Sequence, residues 1–96
     1  MTDHTSTDVA EKHLGPEWDE ALLLRLRQAV AELGGSMRET SWGFGGSQEI
    51  IEYEILCRGA SLTATSETYM GLKLRGPHLI VEAIASIVSR SPKEDA

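Results

Sequence analysis

The chain has 96 residues, of which 41% are hydrophobic and 25% charged, and its 15 acidic residues against 9 basic ones give a formal net charge of −6. This length suits one domain with a single core, and the acid excess argues against nucleic acid as a partner because it repels a phosphate backbone. No apolar run approaches the roughly 20 residues of a membrane-spanning helix, so we expect no membrane insertion. The chain begins without the features of a secretory signal and has a single cysteine, which together predict a cytoplasmic protein.

Both ends of the chain are predicted to be disordered tails. Residues 1–14 show no hydrophobic periodicity, and residues 1–20 carry six acidic side chains against Lys12 as the single base. Segments of this kind bury too little apolar surface to offset the entropy cost of ordering. The sequence therefore predicts an acidic N-terminal tail over 1–14, a single α+β domain over 15–90 and a C-terminal tail over 91–96.

Hydrophobic periodicity predicts two helices, one near each end of the domain. The first follows Gly15-Pro16, which suits an opening helical turn, and ends at Gly34-Gly35. Its apolar stripe recurs at three- and four-residue steps and comprises Trp18, Leu22, Leu26, Ala29, Val30 and Leu33. The second helix follows Gly76-Pro77, with a stripe made of Ile80, Ala83, Ile84, Ile87 and Val88.

Between the helices the hydrophobic period is two, which is typical of strands with one buried face. One strand is predicted over Gln48–Cys57, and another precedes it over Met37–Trp42. Residues 61–75 also alternate, but a straight strand of that length would reach about 45 Å, whereas a domain of this size is only about 30 Å across. The segment is therefore either one bulged strand or two strands in a hairpin.

The predicted fold is of the α+β class: a helix, an antiparallel sheet of three or four strands, and a helix. Both helices are expected on one sheet face, because the face with Glu52 and Glu54 favours water. The opposite, open face is expected to carry Glu52, Glu54, Thr63, Thr65, Tyr69 and Lys73, with Ile50 and Leu56 among them.

The order helix, strands, helix is similar to that of double-stranded RNA-binding domains. That resemblance would imply a lysine cluster at the start of the second helix, where lysines contact phosphates. The corresponding stretch here reads GPHLIVEAIAS and contains Glu82 but no lysine. We therefore assign no family and expect no nucleic-acid binding.

The stretch SWGFGGSQ, residues 41–48, has the glycine content of a phosphate-binding loop. A P-loop needs a lysine and a following helix, and neither is present, while Gln48 stands where the third glycine of a dinucleotide-binding motif belongs. The stretch is therefore predicted to be a four- or five-residue hairpin connection whose glycines supply positive φ. Trp42 and Phe44 either fold back over the sheet edge or contact a partner.

Histidine and cysteine spacing gives no metal or cofactor site. His4, His13 and His78 share no ligand spacing with one another or with Cys57, so we expect neither metal nor cofactor. Cys57 has the parity of the buried side of its strand and is predicted to be a small core residue.

The paired carboxylates of Glu52 and Glu54 also argue for solvation rather than catalysis. Because Glu52 and Glu54 are two residues apart on a strand, their Cα atoms lie roughly 7 Å from each other. This distance is comparable to the separation of the two catalytic carboxylates in glycosidases. An open sheet face, however, lacks the burial that raises the pKa of a general acid. No catalytic residue is predicted, and we do not expect an enzyme.

The leading functional hypothesis is a small acidic protein–protein interaction module, acting in the manner of immunity proteins or secretion chaperones that neutralise a partner. An acidic surface favours a basic partner. The residues predicted to contact this protein partner are Trp42, Phe44, Glu52, Glu54 and Tyr69.

Two alternatives remain open from the sequence. The first is a homodimer that forms through the open sheet face or an unpaired strand edge. The second is a small-molecule site built on the segment 67–71, where a sheet irregularity can re-aim side chains. Its ligand-binding residues would be Glu67, Tyr69 and His78.

Overall fold

Five strands and two helices make up residues 8–90, the part of the chain that the computed structural model describes. In chain order they are β1 (Val9–Gly15), α1 (Glu20–Glu32), β2 (Ser36–Gly45), β3 (Gln48–Cys57), β4 (Ala60–Glu67), β5 (Gly71–Pro77) and α2 (His78–Arg90). The α+β class is as predicted. Residues 1–7 of the predicted N-terminal tail and all of the predicted C-terminal tail, 91–96, lie outside the described residues.

The sheet has five antiparallel strands in the order β1-β5-β4-β3-β2, so the prediction of three or four strands was wrong. The additional strand is β1, which pairs with β5 and lies mostly within the segment predicted to be a tail. Disorder is therefore incorrect for Val9–Leu14. This leading strand also separates the fold from the helix-first order of double-stranded RNA-binding domains.

The residues on the core-facing side of β1 explain why its sequence pattern does not predict a strand. Ala10 and Leu14 pack against the core, but Lys12 stands between them and pairs with Leu74 of β5 in the sheet register. Its ammonium reaches Glu82 of α2 at 3.4 Å. A charged residue thus interrupts the apolar alternation that marks a strand.

The β2–β3 and β4–β5 hairpins resolve the remaining strand predictions. Residues 61–75 divide into β4 and β5, joined by Thr68–Met70, so the hairpin alternative is confirmed. β2 continues through Trp42 and Phe44 to Gly45, which pairs with Gln48. The connection to β3 is therefore the two residues Gly46-Ser47, with φ of +67° at Gly46, rather than four or five.

Both helices pack on one face of the sheet. There they form the core together with the alternate side chains of β3, β4 and β5 that point toward this face. The residues with the least exposure include Leu26, Ile55, Leu62, Leu74, Val81 and Ile84. Burying one such side chain stabilises the fold by about 1.5–3 kcal/mol. Within residues 8–90 no helix covers the opposite face.

The start of α1 differs from the prediction. Asp19 caps the helix by accepting a hydrogen bond from the Leu22 N–H at 3.0 Å, so α1 begins at Glu20 rather than near Pro16. Trp18 therefore precedes the helix and is 74% exposed, instead of belonging to the buried stripe.

Gly71, at the start of β5, is expected to tolerate no side chain. It is buried with φ of +90°, and a Cβ built on it would lie 2.7 Å from the Gly15 carbonyl oxygen. We expect Gly71→Ala to lower the free energy of unfolding by about 2–4 kcal/mol, because left-handed strain adds to overpacking. Urea denaturation measures this change.

Gly43→Ala in β2 is the matched control, because a Cβ there meets nothing within 4 Å. Its effect should stay within about 1 kcal/mol of wild type. Equal effects of the two substitutions would contradict the close packing of β1 against the start of β5.

Candidate functional site

Four of the five aromatic side chains of the chain are more than half exposed. Trp42 and Phe44 are 56% and 66% exposed, and Trp18 and Tyr69 are 74% and 82% exposed. Only Tyr53 is buried. Aromatic rings carry the largest apolar surfaces and usually bury most of them, so these four exposed rings are the candidate contact surface of the molecule.

The β2–β3 hairpin and the β4–β5 turn lie at the same end of the sheet and are fastened together. The Thr68 N–H donates to the Glu49 carbonyl oxygen at 3.0 Å, and the Glu49 N–H donates to Thr68 Oγ1 at 2.9 Å. The Gln48 side chain also donates to the Thr68 carbonyl oxygen at 2.7 Å. These bonds bring Tyr69 to the end of the sheet that holds Trp42 and Phe44.

Trp18 joins this end through the segment that precedes α1. The Tyr69 N–H donates to a carboxylate oxygen of Glu17 at 3.2 Å, which ties the β4–β5 turn to the residue before Trp18. A groove of about 460 Å³ lies between them. It is lined by His13, Pro16, Glu17, Trp18, Tyr69, Met70 and Gly71.

We call this part of the molecule the aromatic end and define it as residues 14–24, 42–51 and 66–72. It contains no lysine or arginine, but it contains five acidic residues: Glu17, Asp19, Glu20, Glu49 and Glu67. A surface that carries carboxylates and no basic side chains has a negative potential, which attracts cations.

Trp42 and Phe44 form a preformed pair within the hairpin. Their ring centres lie 5.3 Å apart in an edge-to-face arrangement with an interplanar angle of 73°, a favourable geometry for aromatic pairs. The Trp42 indole N–H donates to the Glu49 carboxylate. One alternative from the sequence was that these rings fold back over the sheet edge. Neither ring is buried there, and both remain exposed.

The predicted partner-contacting residues do not share one surface. The sheet register places Trp42 opposite Ile51 and Phe44 opposite Glu49, on the same side of the sheet as the helices. Glu52 and Glu54 have the other parity and lie on the open face. Only Trp42, Phe44 and Tyr69 are brought to one end of the molecule.

The open face is not an acidic surface. Its four acidic residues are Glu11, Glu52, Glu54 and Glu67, and its three basic residues are Arg38, Lys73 and Arg75. The Arg38 guanidinium lies 3.0 Å from a carboxylate oxygen of Glu54. Charge is therefore nearly balanced on this face, and the acid excess lies elsewhere.

The three residues of the alternative ligand site are also separated. Glu67 pairs with Gly71 at one end of β5, whereas His78 follows Pro77 at the other, and its N–H donates to the Asp8 carbonyl oxygen. A seven-residue strand spans roughly 20 Å. A site that combines Glu67, Tyr69 and His78 is therefore incompatible with the fold.

Residues 8–90 show no group of three or more histidine, cysteine, aspartate or glutamate side chains that could hold a metal ion. Cys57 is buried, as its parity predicts. In the same range, no helix is long and apolar enough to cross a membrane.

Trp18 was not anticipated from the sequence as part of this end, and Met70 was anticipated only within the segment 67–71 of the alternative ligand site. The signal that could have placed Trp18 outside the helix is Asp19. Aspartate is a strong N-cap residue whose carboxylate accepts from the N–H three residues later, here that of Leu22. That reading would have moved Trp18 out of the helix. Met70 follows Tyr69 in a turn, where no periodicity applies.

Tyr69 has φ of +70°, a conformation that costs roughly 1–2 kcal/mol for any residue except glycine. Strained backbone positions cluster at functional sites, so Tyr69 is a candidate contact residue. We expect Tyr69→Gly to be more stable than Tyr69→Ala by about 1 kcal/mol, because both remove the ring and only glycine removes the strain. Chemical denaturation of the two variants measures the difference, and equal stabilities would contradict the strained turn.

Tyr53 lies beneath α1, next to the aromatic end. Burial raises the pKa of Tyr53, the positive charge of Arg27 opposes this, and Glu39 and Glu49 raise it further. The Arg27 guanidinium lies over the ring, 5.4 Å from its centre. The folded protein therefore favours the neutral phenol.

This raised pKa predicts a loss of stability at alkaline pH. Unfolded tyrosine ionises near pH 10, so the contribution is fully present below about pH 10 and is lost as pH rises through the higher folded-state pKa. We expect Tyr53→Phe to lose less unfolding free energy than wild type above about pH 10. Denaturation at several pH values tests this, and between about pH 7 and 9 the two proteins should show the same slope.

Known protein families, curated proteins and solved structures provide no match to this chain.

Proposed function

We propose that this protein is a small, non-catalytic protein–protein interaction module that binds a cationic segment of a partner protein at its aromatic end. The observation that carries the proposal is the gathering of four exposed aromatic side chains at one end of the sheet. This refines the sequence hypothesis, since Trp42, Phe44 and Tyr69 stay in the binding surface whereas Glu52 and Glu54 leave it.

The apolar part of this surface supports binding of useful strength. Burying a whole aromatic side chain removes about 150–250 Å² from water, and more than half of each ring's surface is still exposed here for a partner to cover. Tryptophan and tyrosine are the residues most enriched at energetic hot spots. The edge-to-face contact of Trp42 with Phe44 holds both rings in place, so little entropy is lost when they bind.

The charges around these rings support a basic partner. Lysine and arginine side chains are attracted both to aromatic faces and to carboxylates such as Glu17 and Glu49, which already contact Tyr69 and Trp42. No lysine or arginine in the aromatic end competes for these carboxylates. Electrostatic attraction of this kind mainly raises the association rate and weakens as salt increases.

The biological role that fits these properties is stoichiometric neutralisation of a partner, as immunity proteins and secretion chaperones do. Such proteins need a binding surface and no reacting groups. We place the protein in the cytoplasm, because its single cysteine, Cys57, is buried and free and reducing compartments favour such usage.

The groove beside Tyr69 supports a second candidate, a small-molecule-binding protein. Its volume, about 460 Å³, is within the range of ligand pockets. The lining differs from the sequence prediction, because His13 and Trp18 replace Glu67 and His78. A thermal-shift screen over metabolites distinguishes this candidate, since a ligand that binds the folded state raises the melting temperature.

The proposed function is tested by affinity capture from the native source, followed by titration of the captured protein. We expect the double variant Trp42→Ala and Phe44→Ala to weaken binding by about 30-fold or more, the effect of losing a hot spot. The association rate should also fall as salt rises. A captured protein that binds this double variant as tightly as wild type would contradict the proposal.

Leu79→Ala is the matched control. Leu79 is 80% exposed and lies in the first turn of α2, at the opposite end of the sheet. Its removal deletes a similar exposed apolar side chain, and we expect no change in binding. An equal loss with Leu79→Ala would indicate nonspecific apolar adhesion instead.

A further inference from the structure

The charges on the open face change sign from one side of the central strand β4 to the other. One row across the sheet, read from β2 to β1, is Arg38, Glu54, Thr63, Arg75 and Glu11. The next row is Ser41, Glu52, Thr65, Lys73 and His13. In both rows the residue on β3 is therefore acidic and the residue on β5 is basic. In the first row the outer strands have the opposite order, with a basic residue on β2 and an acidic residue on β1.

A pattern that changes sign about a central line is complementary to itself under a two-fold axis along that line. If a second copy is laid face to face with its axis parallel to β4, its β3 lies over β5 of the first copy. Glu54 then faces Arg75 of the second copy, and Glu52 faces its Lys73. In the first row, β2 and β1 also meet, so that Arg38 faces Glu11.

We propose that the open face is the interface of a homodimer whose two-fold axis runs close to β4. The sheets would form two inner layers with the helices outside, so that both faces of each sheet would be covered. Facing sheets pack about 10 Å apart with their strands within about 30° of each other. The axis then lies within about 15° of β4.

Residues on the axis meet their own copies, so like charge is unfavourable there. The two open-face residues at the middle of β4 are Thr63 and Thr65, both uncharged. Glu67, the remaining charged residue of β4 on this face, lies at the end of the strand. Two Glu67 carboxylates would approach each other in the dimer, which makes this the one unfavourable charge contact of the arrangement.

Within residues 8–90, only some of these charges form ion pairs. Arg38 and Glu54 form an ion pair at 3.0 Å, as expected for residues on neighbouring strands. Among the described residues, however, no carboxylate lies within ion-pair distance of Lys73 or Arg75. The basic strand of the face is therefore left available for the acidic strand of a second copy.

Exposed apolar side chains and the size of the face also support a second copy as the occupant. Leu56 is 49% exposed and Val9 is 59% exposed. The axis places Leu56 over Pro77 of the second copy, and Pro77 pairs with Val9 in the sheet register. Five strands and four rows of side chains cover roughly 600 Å². Two copies would bury about 1,200 Å², the lower end of the range for specific interfaces.

This interface is distinct from the surface of the proposed function, because it uses none of the exposed aromatic residues, and Glu67 is the only charged residue that it shares with the aromatic end. Failure of the dimer leaves binding at the aromatic end untouched, and failure of partner binding leaves the dimer untouched. The dimer is measured on the purified chain alone, so the two outcomes are distinguishable.

The experiment is a charge exchange read by sedimentation velocity. The wild-type chain should move from 10.5 kDa to twice that mass at about 200 µM in roughly 50 mM salt, where surface charges are least screened. The variant Glu52→Lys with Glu54→Lys should be monomeric, as should Lys73→Glu with Arg75→Glu. An equimolar mixture of the two variants should dimerise again, since each acidic strand then faces a basic one.

Restoration by mixing is the decisive result, because charge pairing within one chain cannot be restored by adding another chain. Circular dichroism confirms that each variant is folded. A wild-type chain that stays monomeric under these conditions, or a mixture that stays monomeric, would overturn the proposal.

Three further variants test the position of the axis: two of them add one charge each, and the third removes the charge of Glu67. Thr63→Arg places like charges opposite each other and should weaken the dimer at least tenfold, whereas Ser86→Arg on the exposed side of α2 should have no effect. Glu67→Gln should strengthen the dimer, because it removes the unfavourable contact at the axis. A dimer that ignores Thr63→Arg would use a different surface and would also overturn the proposal.

Discussion

The packing of two helices against one face of a five-stranded sheet is the constraint on which the rest of the molecule depends. Side chains such as Leu26, Ile55 and Ile84 are fully buried in this layer. Each helix has 13 residues and spans about 20 Å, whereas the ten-residue strands of the β2–β3 hairpin span about 30 Å. The helices are therefore too short to cover the hairpin tip, and a one-sided core leaves the opposite face uncovered as well.

The aromatic end is held together by polar contacts rather than by the core. Glu49 is central, because its carboxylate accepts from the Trp42 indole and its backbone exchanges hydrogen bonds with Thr68. Glu17 makes the corresponding contact to the Tyr69 backbone. The same carboxylates that position the rings also supply negative charge beside them, so in the proposed function the local structure and the attraction for a cationic partner come from the same residues.

The parts of the fold that were predictable from sequence are those in which one periodicity runs without interruption, as in α2 and in β3 from Gln48 to Cys57. β1 was not predictable because Lys12 occupies a core-facing position and is accommodated only by Glu82, far away in the chain. The hairpin turn was misjudged because its glycines suggested a loop, although Trp42 and Phe44 alternate with Gly43 and Gly45 as a strand does. The separation of Trp42 from Glu52 onto opposite sides follows from the two-residue turn, which pairs Trp42 with Ile51 and which no local pattern reveals.

The direction of the β4 axis has a consequence for valency. A rotation about a line parallel to the strands keeps both copies pointing the same way along the strands, so the two aromatic ends of the proposed dimer lie on one side of the assembly. Four strand steps and one sheet spacing put the two β2 strands roughly 20 Å apart. A partner that carries two cationic segments at that separation would bind the second one at high effective concentration, and its residence time would exceed that of either contact alone.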